Sequence, residues 1–198
     1  MLIKELKMNK KEIIERILEK FNIRGFQLKP RPATKFAKEY FKNKPIEVIE
    51  IGTLRGDHAK QILDNLNVKK ICLIDPWSSY SDYKISDPER TQESLNKDFK
   101  ICRNVLKKYG KKVIYIKDFS DNAVNKVSEA DYIYIDGNHE YKYVIKDIKN
   151  YYKKLRKGGI LAGDDLGNSG VNKALIEFCY RNKLNFQSKI WDWWIIKK

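Results

Sequence analysis

The chain has 198 residues, of which 42% are hydrophobic, and its formal net charge is +15. This length and composition suit one domain with a full core, and no apolar run approaches the length of a membrane span. The basic excess suggests nucleic acid as a partner, but it is nearly all lysine and is dispersed along the chain. That dispersal favours a solvated surface, and we expect no specific nucleic-acid binding.

The cysteines and the N-terminal segment indicate in which cellular compartment the protein is expected. Cys72, Cys102 and Cys179 are odd in number, and their spacing matches no metal-binding pattern. We expect them to be buried reduced thiols. The first 21 residues are charged and amphipathic, without the apolar centre of a signal peptide. We therefore expect a cytoplasmic protein that is not associated with a membrane.

Two helices are predicted ahead of the main domain. The first begins near Asn9 and ends at Gly25, and the second covers "ATKFAKEYF". Pro45 then leads into the first strand. We therefore predict a helical cap over residues 1–44 and a main domain over residues 45–198, together forming one compact unit.

Strands and helices alternate from Pro45 onward. Predicted strands contain "VIEI", "KKICLIDP", "KVIYIKD", "ADYIYIDG" and "ILAGDD", with helical patterns between them. The terminal "NFQSKIWDWWIIKK" reads as two strands around Asp192 in an antiparallel hairpin. This order predicts a Rossmann-like α/β fold, with a mostly parallel seven-stranded sheet and helices on both faces.

Two segments leave alternatives open. Residues 77–92, "WSSYSDYKISDPERTQ", are polar and aromatic without a clear period, which fits a lid or a disordered insertion. In the terminal hairpin, strand alternation puts Trp191 and Trp193 on one face and Trp194 on the other. These rings would pack in the core, or one face would form a surface between copies in a homo-oligomer.

The stretch "VIEIGTLRGDHA" predicts a ligand site at the end of the first strand. Gly52 and Gly56 bracket a tight turn between a buried strand and a helix, and Glu50 interrupts the apolar strand. Such a turn commonly places a ligand at the N-terminus of the helix, where N–H groups are free. Arg55 in this turn would contact the ligand or remain exposed.

An acidic residue follows the second strand at the distance expected for a ribose contact. Asp75 lies 23 positions after Gly52, and a carboxylate can accept hydrogen bonds from both ribose hydroxyls. The alternative is that Asp75 only caps the turn at Pro76. The glycine turn and the spaced acid together predict a nucleoside-bearing cofactor. The G-x-G-x-x-G pattern of a dinucleotide oxidoreductase is missing from this turn.

Three carboxylates follow the fourth and fifth strands. Asp136 ends the fourth strand, and Asp164 and Asp165 end the fifth. Close carboxylates repel one another, and a hard divalent cation such as Mg²⁺ or Ca²⁺ would relieve that repulsion. The alternative is that these residues only shape their turns. His139, three positions after Asp136, is a candidate base or a hydrogen-bonding partner of the carboxylates.

The pattern E-x-G-x-x-x-G resembles motif I of the class I S-adenosylmethionine-dependent methyltransferases, and the resemblance extends over residues 46–198. The stretches "IEIGTLRGDHA", "LIDPW", "DYIYIDGNHEY" and "LRKGGILAGDD" resemble the metal-dependent small-molecule O-methyltransferases of the macrolide-sugar and cephalosporin-hydroxyl type. The resemblance implies transfer of a methyl group to a hydroxyl of a small molecule, with a sugar or sugar-bearing metabolite preferred.

The resemblance also implies roles for individual residues. It places the metal at Asp136, Asp164 and Asp165, and proton removal at His139 or Asp136. The implied cofactor-binding residues are Glu50, Gly52, Thr53, Gly56, Asp75, Pro76, Trp77, Asp118, Phe119 and Ser120. Glu50 would support the glycine loop, Asp75 would bind the ribose, and Pro76 and Trp77 would lie beside the adenine. Residues 118–120 would line the adenine pocket.

Two other functions remain as alternatives. A nucleic-acid amino-methyltransferase would carry [DN]-P-P-[YF] after the fourth strand, where this chain has "IDGNHE", and the Pro-Cys pair of base C5 methylation does not occur. A non-catalytic binding module with the same fold is the other alternative. The glycine turn, Asp75 and the three strand-end aspartates favour the enzyme.

Overall fold

A computed structural model describes residues 30–79 and 91–198. Its seven strands form one sheet in the order β3-β2-β1-β4-β5-β7-β6. The strands are β1 (Ile46–Ile51), β2 (Val68–Ile74), β3 (Val113–Ile116), β4 (Ala130–Ile135), β5 (Leu155–Gly163), β6 (Gln187–Lys189) and β7 (Asp192–Ile196). β1 to β5 pair in parallel, whereas β7 pairs antiparallel with both β5 and β6. The predicted Rossmann-like sheet with its terminal hairpin is confirmed.

Six α-helices lie in the described ranges. They are α1 (Pro32–Phe41), α2 (Asp57–Asn65), α3 (Gln92–Leu106), α4 (Ser120–Ala123), α5 (Tyr141–Lys154) and α6 (Ser169–Asn182). Short 3₁₀ turns follow α3 and α4. Two of the longer helices begin at local signals: Thr91 caps α3 and Asn168 caps α6, each by accepting a backbone N–H on its side-chain oxygen.

The sheet is covered on both faces, which explains why its central strands are apolar throughout. Ile49 of β1 and Ile133 of β4 point to one face, where α5 and α6 pack. Val48 and Tyr132 point to the other, where α1, α2 and α3 pack. The three cysteines are buried and unpaired, as predicted. In the described part of the chain, no helix is long and apolar enough to cross a membrane.

The compact unit that contains the sheet begins at Arg31 and includes α1. The division at residue 45 stays a prediction. The predicted helix between Asn9 and Gly25 lies outside the described residues, as do residues 80–90 of the segment proposed as a lid or an insertion.

The terminal hairpin has a different turn from the one expected by strand alternation. Trp193 and Trp194 are buried on opposite faces of β7. Trp191 lies in the turn between β6 and β7 and is 59% exposed, so it does not share a strand face with Trp193. Its ring lies against Gly167, where a Cβ atom would be 2.1 Å from the ring. The turn, with φ of +60° at Ile190, rotates Trp191 out of the strand pattern.

Candidate functional site

The glycine loop after β1 lies directly against the loop after β4. Gly52 has φ of +81°, and a Cβ atom there would be 1.8 Å from the carbonyl oxygen of Asp136. Its N–H donates to the Ile74 carbonyl at the end of β2. Only glycine combines this left-handed conformation with so close an approach. Three strand ends therefore meet at Gly52, which brings the predicted cofactor loop beside the predicted acidic cluster.

Glu50 lies beneath this loop and is 1% exposed. Its Oε2 accepts from the Thr53 hydroxyl at 2.9 Å, and its Oε1 is 2.9 Å from Nδ1 of His58. Burial raises the pKa of Glu50 to about 8 and holds the pKa of His58 well below its usual value. His58 Nε2 in turn contacts the Thr34 hydroxyl at 2.8 Å. Glu50 thus links the glycine loop to α2 and, through His58, to α1.

Asp75 holds the glycine loop against the end of β2. Its Oδ2 accepts from Leu54 N at 2.9 Å, and its Oδ1 accepts from Trp77 N at 2.8 Å. Burial raises the pKa of this carboxyl to about 6. Asp75 therefore does cap its own turn, as the alternative held, and it also orders residues 52–56. Each carboxylate oxygen has a second lone pair, so a ribose contact remains compatible with these bonds.

The position of Trp77 corrects its predicted role. Its side chain is fully buried, its ring centroid is 4.5 Å from that of Phe99, and its Nε1 donates to the Leu54 carbonyl at 2.8 Å. A ring enclosed in this way has no free face for adenine, so Trp77 braces the loop from the core. Its neighbour Pro76 is half-buried.

The third strand end presents one exposed aromatic ring. Phe119 is 42% exposed, between Asp118 and Ser120. The Asp118 carboxylate accepts from Lys126 Nζ at 2.6 Å, and the Ser120 carbonyl accepts from the Tyr151 hydroxyl at 2.8 Å. These contacts fix the segment 118–120, and part of the Phe119 ring reaches the surface. Phe119 is therefore better placed than Trp77 to contact a purine.

An arginine that the sequence did not single out lies between two of the predicted metal ligands. Arg31 Nη1 donates to Asp136 Oδ2 at 2.9 Å, to Asp164 Oδ2 at 2.6 Å and to the Tyr134 hydroxyl at 2.9 Å. Burial alone would lower the pKa of Arg31, but Tyr134, Asp136 and Asp164 together raise it above its usual value. The guanidinium supplies part of the positive charge that the three aspartates require.

His139 supplies a second positive charge. Its Nε2 is 3.0 Å from Asp165 Oδ2 and 3.9 Å from Asp136 Oδ1. The carboxylates of Asp136 and Asp165 raise the pKa of His139 to about 10, which favours the protonated imidazole. The bond to His139 in turn lowers the pKa of Asp165. In this state His139 donates a hydrogen bond to Asp165, and its role as a base stays a prediction.

The strand ends bring all three predicted metal ligands together, but they are not equally available. Ligand atoms of Asp136, His139 and Asp165 lie within 4.8 Å of one another, and two carboxylates with an imidazole can bind a divalent cation. Asp164 is engaged differently: Arg31 binds its Oδ2, and its Oδ1 accepts from Asp165 N at 2.7 Å. The donor set that fits a cation is therefore Asp136, His139 and Asp165.

Tyr134 and Asp192 are further polar residues that sequence reasoning missed. The Tyr134 hydroxyl donates to Asp192 Oδ1 at 3.0 Å, and Asp192 Oδ2 accepts from Ala33 N at 2.8 Å. Burial raises the pKa of Asp192 to about 6. The available signal was an aspartate inside the otherwise apolar "IWDWWII". Arg31, beside Pro32 at the start of α1, has no comparable signal.

An open pocket of about 790 Å³ adjoins the acidic cluster at His139. It lies between the N-termini of α5 and α6, and two lysines contribute to its wall. The lining residues are Gly137, Asn138, His139, Glu140, Tyr141, Lys142, Asn168, Ser169, Gly170 and Lys173. The pocket is large enough for a small molecule and shares His139 with the candidate site.

Comparisons with known proteins identify the family of this chain. Residues 49–166 match a family described as "Methyltransferase domain". An uncharacterized protein of Acanthamoeba polyphaga mimivirus is 30% identical over 131 residues, which cover 63% of this chain and 53% of that protein. The chain thus spans about half the length of this curated relative.

Solved structures share the fold at low sequence identity. An O-methyltransferase from Bacillus cereus in complex with SAH has a TM-score of 0.61 at 13% identity, covering 98% of this chain and 94% of that one. The O-methyltransferase NovP has a TM-score of 0.61 at 13% identity, with coverages of 84% and 79%. An rRNA methylase from Streptococcus thermophilus has a TM-score of 0.59 at 13% identity, with coverages of 85% and 96%. The chain belongs to the methyltransferase-domain family and has the Rossmann-like fold of the class I enzymes.

Proposed function

We propose that this protein is an S-adenosylmethionine-dependent O-methyltransferase that acts on a hydroxyl of a small molecule, with a sugar or sugar-bearing metabolite as the preferred acceptor. The observation that carries the proposal is the contact between Gly52 and the backbone of Asp136. Because the two loops touch, a cofactor held by the first would present its reactive end to the carboxylates of the second. The small-molecule acceptor is supported by the open pocket beside His139.

The cofactor would lie over the loops after β1, β2 and β3. Gly52 and Gly56 are both in the left-handed region, and no side-chain cap binds the N–H groups at the start of α2, so these groups could meet the cofactor. The remaining lone pairs of Asp75 would accept the ribose hydroxyls. The exposed ring of Phe119 would contact the adenine.

The acceptor would lie beside Asp136 and His139, in the pocket between α5 and α6. The reaction class is transfer of a methyl group from a sulfonium sulfur to an oxygen, with loss of the hydroxyl proton. Without a metal ion, Asp136 is the candidate proton acceptor, and protonated His139 would orient the acceptor oxygen by donating a hydrogen bond. A divalent cation would instead require His139 to lose its proton and join Asp136 and Asp165 as a ligand, and the cation would then lower the pKa of the acceptor hydroxyl.

The direct test is methyl transfer measured by mass spectrometry. The full chain is incubated with isotopically labelled S-adenosylmethionine and a panel of sugar nucleotides and hydroxylated metabolites, with and without a chelator. We expect a labelled methyl ether on one class of acceptor. Binding of the cofactor without transfer to any acceptor would favour the non-catalytic binding module, and tighter binding of NAD than of S-adenosylmethionine would refute the proposal.

Cofactor binding by two variants tests the ribose contact separately. Asp75→Ala should weaken S-adenosylmethionine binding by about 1–3 kcal/mol, because the buried ribose hydroxyls would lose their acceptor. Asp64→Ala is the matched control, since Asp64 is a surface carboxylate of α2 that pairs with Lys60. Calorimetry is combined with thermal unfolding to show that both variants remain folded. Equal affinities in the two variants would remove Asp75 from the site.

Methylation of nucleic acid is the second candidate. The net charge of +15 and the similar fold of an rRNA methylase favour it. The loop after β4, "IDGNHE", lacks the [DN]-P-P-[YF] stretch of amino-methylating enzymes. Labelled methyl groups incorporated into RNA or DNA, and not into small molecules, would establish this candidate instead.

A further inference from the structure

Arg31 has a position that the proposed methyl transfer does not explain. One nitrogen, Nη1, lies 2.9 Å from Asp136 Oδ2 and 2.6 Å from Asp164 Oδ2. A divalent cation bridging these two oxygens would lie about 2.0–2.6 Å from each of them. The guanidinium nitrogen and such a cation would therefore occupy the same space.

The contacts of Arg31 show that this position is built into the fold. The backbone N–H of Arg31 donates to Gln61 Oε1 of α2 at 3.0 Å, and Nη1 donates to the Tyr134 hydroxyl. The guanidinium carbon lies 5.6 Å from the centroid of the Tyr134 ring. The side chain is 20% exposed. Arg31 is thus held by a helix, a strand and both aspartates, unlike a surface arginine that only passes near an acid.

The protein itself places a positive charge at two of the carboxylates. The guanidinium of Arg31 lies 2.9 Å from Asp136 Oδ2 and 2.6 Å from Asp164 Oδ2. An added divalent cation would meet the positive charge of Arg31 at close range, and repulsion at that range is costly in a partly buried site.

We propose that Arg31 is the resident counter-cation of the acidic cluster and that it competes with divalent metal ions for Asp136 and Asp164. Arg31 withholds Asp164 from any metal and lowers the affinity of the remaining donors, Asp136, His139 and Asp165. The proposal concerns cation binding alone, so it stands or falls independently of the methyl acceptor and of catalytic activity.

The test is direct binding of Mn²⁺ to the 198-residue chain, measured by electron paramagnetic resonance and calorimetry without cofactor or acceptor. Arg31→Met keeps much of the side-chain stem but removes the charge, and we expect it to bind Mn²⁺ at least about tenfold more tightly than the unmodified chain. Arg31→Lys keeps the charge and should change the affinity by less than about threefold.

Arg156→Met is the matched control. Arg156 also bridges two carboxylates, with Nη1 at 2.9 Å from Asp131 and Nη2 at 2.9 Å from Glu47. This variant loses the same net charge outside the candidate site, so its Mn²⁺ affinity should match that of the unmodified chain. An equal gain in Arg156→Met and Arg31→Met would assign the effect to net charge and would overturn the proposal.

Asp164→Asn provides a second arm of the test. Measured alone, this variant gives a result even if the Arg31 variants do not fold. Because Arg31 occupies Asp164, this substitution alone should change Mn²⁺ affinity by less than about threefold, whereas in the Arg31→Met background it should abolish the gain. A tenfold or larger loss from Asp164→Asn alone would show that Asp164 is already a metal ligand. That result, or unchanged affinity in a folded Arg31→Met variant, would overturn the proposal.

Discussion

Replacing Gly52 by alanine should separate the loops after β1 and β4. The added Cβ atom would be 1.8 Å from the Asp136 carbonyl oxygen and 2.7 Å from Gly137 N. Because both atoms belong to the backbone, no side chain can rotate away. The loops must move apart by about 1.2 Å before the nearest contact reaches even the short limit of 3.0 Å.

The loss of stability expected for Gly52→Ala has two parts. A non-glycine residue at φ of +81° costs about 1–2 kcal/mol. The displacement also strains two backbone hydrogen bonds, Gly52 N to the Ile74 carbonyl and Asp136 N to the Ile51 carbonyl, each worth about 1 kcal/mol. We therefore expect Gly52→Ala to lower the free energy of unfolding by about 3–4 kcal/mol and to abolish cofactor binding.

Gly158→Ala is the control for the backbone part alone. Gly158 has φ of +73°, and a Cβ atom there would meet nothing within 4 Å. Gly158→Ala should lower the free energy of unfolding by only about 1–2 kcal/mol, and cofactor binding should be retained. Equilibrium unfolding in urea measures both variants, and calorimetry measures binding. If the two variants differ by less than about 0.5 kcal/mol, the close approach at Gly52 does not constrain the loops and the reasoning is wrong.

Three further predictions concern pH, a helix cap and salt. Burial raises the pKa of Asp147 from 3.8 to about 7, so the folded state binds the proton more tightly and stability should fall by up to about 4 kcal/mol as pH rises through this window. Asp147→Asn should remove that fall and be the more stable protein at about pH 8 in urea unfolding; parallel pH profiles of the two proteins would contradict this. Thr91→Ala should cost about 1 kcal/mol of stability and Thr91→Ser almost none, because Thr91 caps α3; equal melting temperatures for the two variants would assign the cap no role. Adhesion to nucleic acid through the lysine excess should vanish between low and physiological salt in filter binding, and a sequence-selective complex that survives would reverse this expectation.

The fold was predictable because its signals are local. Apolar strands, helical periodicity and glycine turns each depend on neighbouring residues, and their alternation leaves few topologies. Glu50, Gly52 and Asp75 could be identified in the same way, since a strand end predicts where a side chain will meet a ligand. The geometry of Gly52 against Asp136 follows from the parallel pairing of β1 and β4.

The sequence predictions fail for residues whose side-chain positions depend on contacts with distant parts of the chain. Trp77 follows a strand end, but its ring turns into the core because Phe99 of α3 packs against it. Arg31 reaches Asp136 and Asp164 across 105 and 133 positions of sequence, a relation that no local pattern contains. The need for a counter-charge at the carboxylates was foreseen, but the sequence could not indicate that the protein supplies one itself.

The contact between Ala33 and Asp192 has a consequence for the biosynthesis of this protein. Asp192 follows Ala33 by 159 positions, and it also fixes the Tyr134 hydroxyl that holds Arg31. At about 5–20 residues per second, a ribosome needs roughly 10–30 s to add the intervening chain. During that interval Ala33 has already been synthesised, while its partner Asp192 has not. The hydrogen bond from Ala33 N to Asp192, which ties the start of α1 to β7, can therefore form only after the last strand of the sheet has been synthesised.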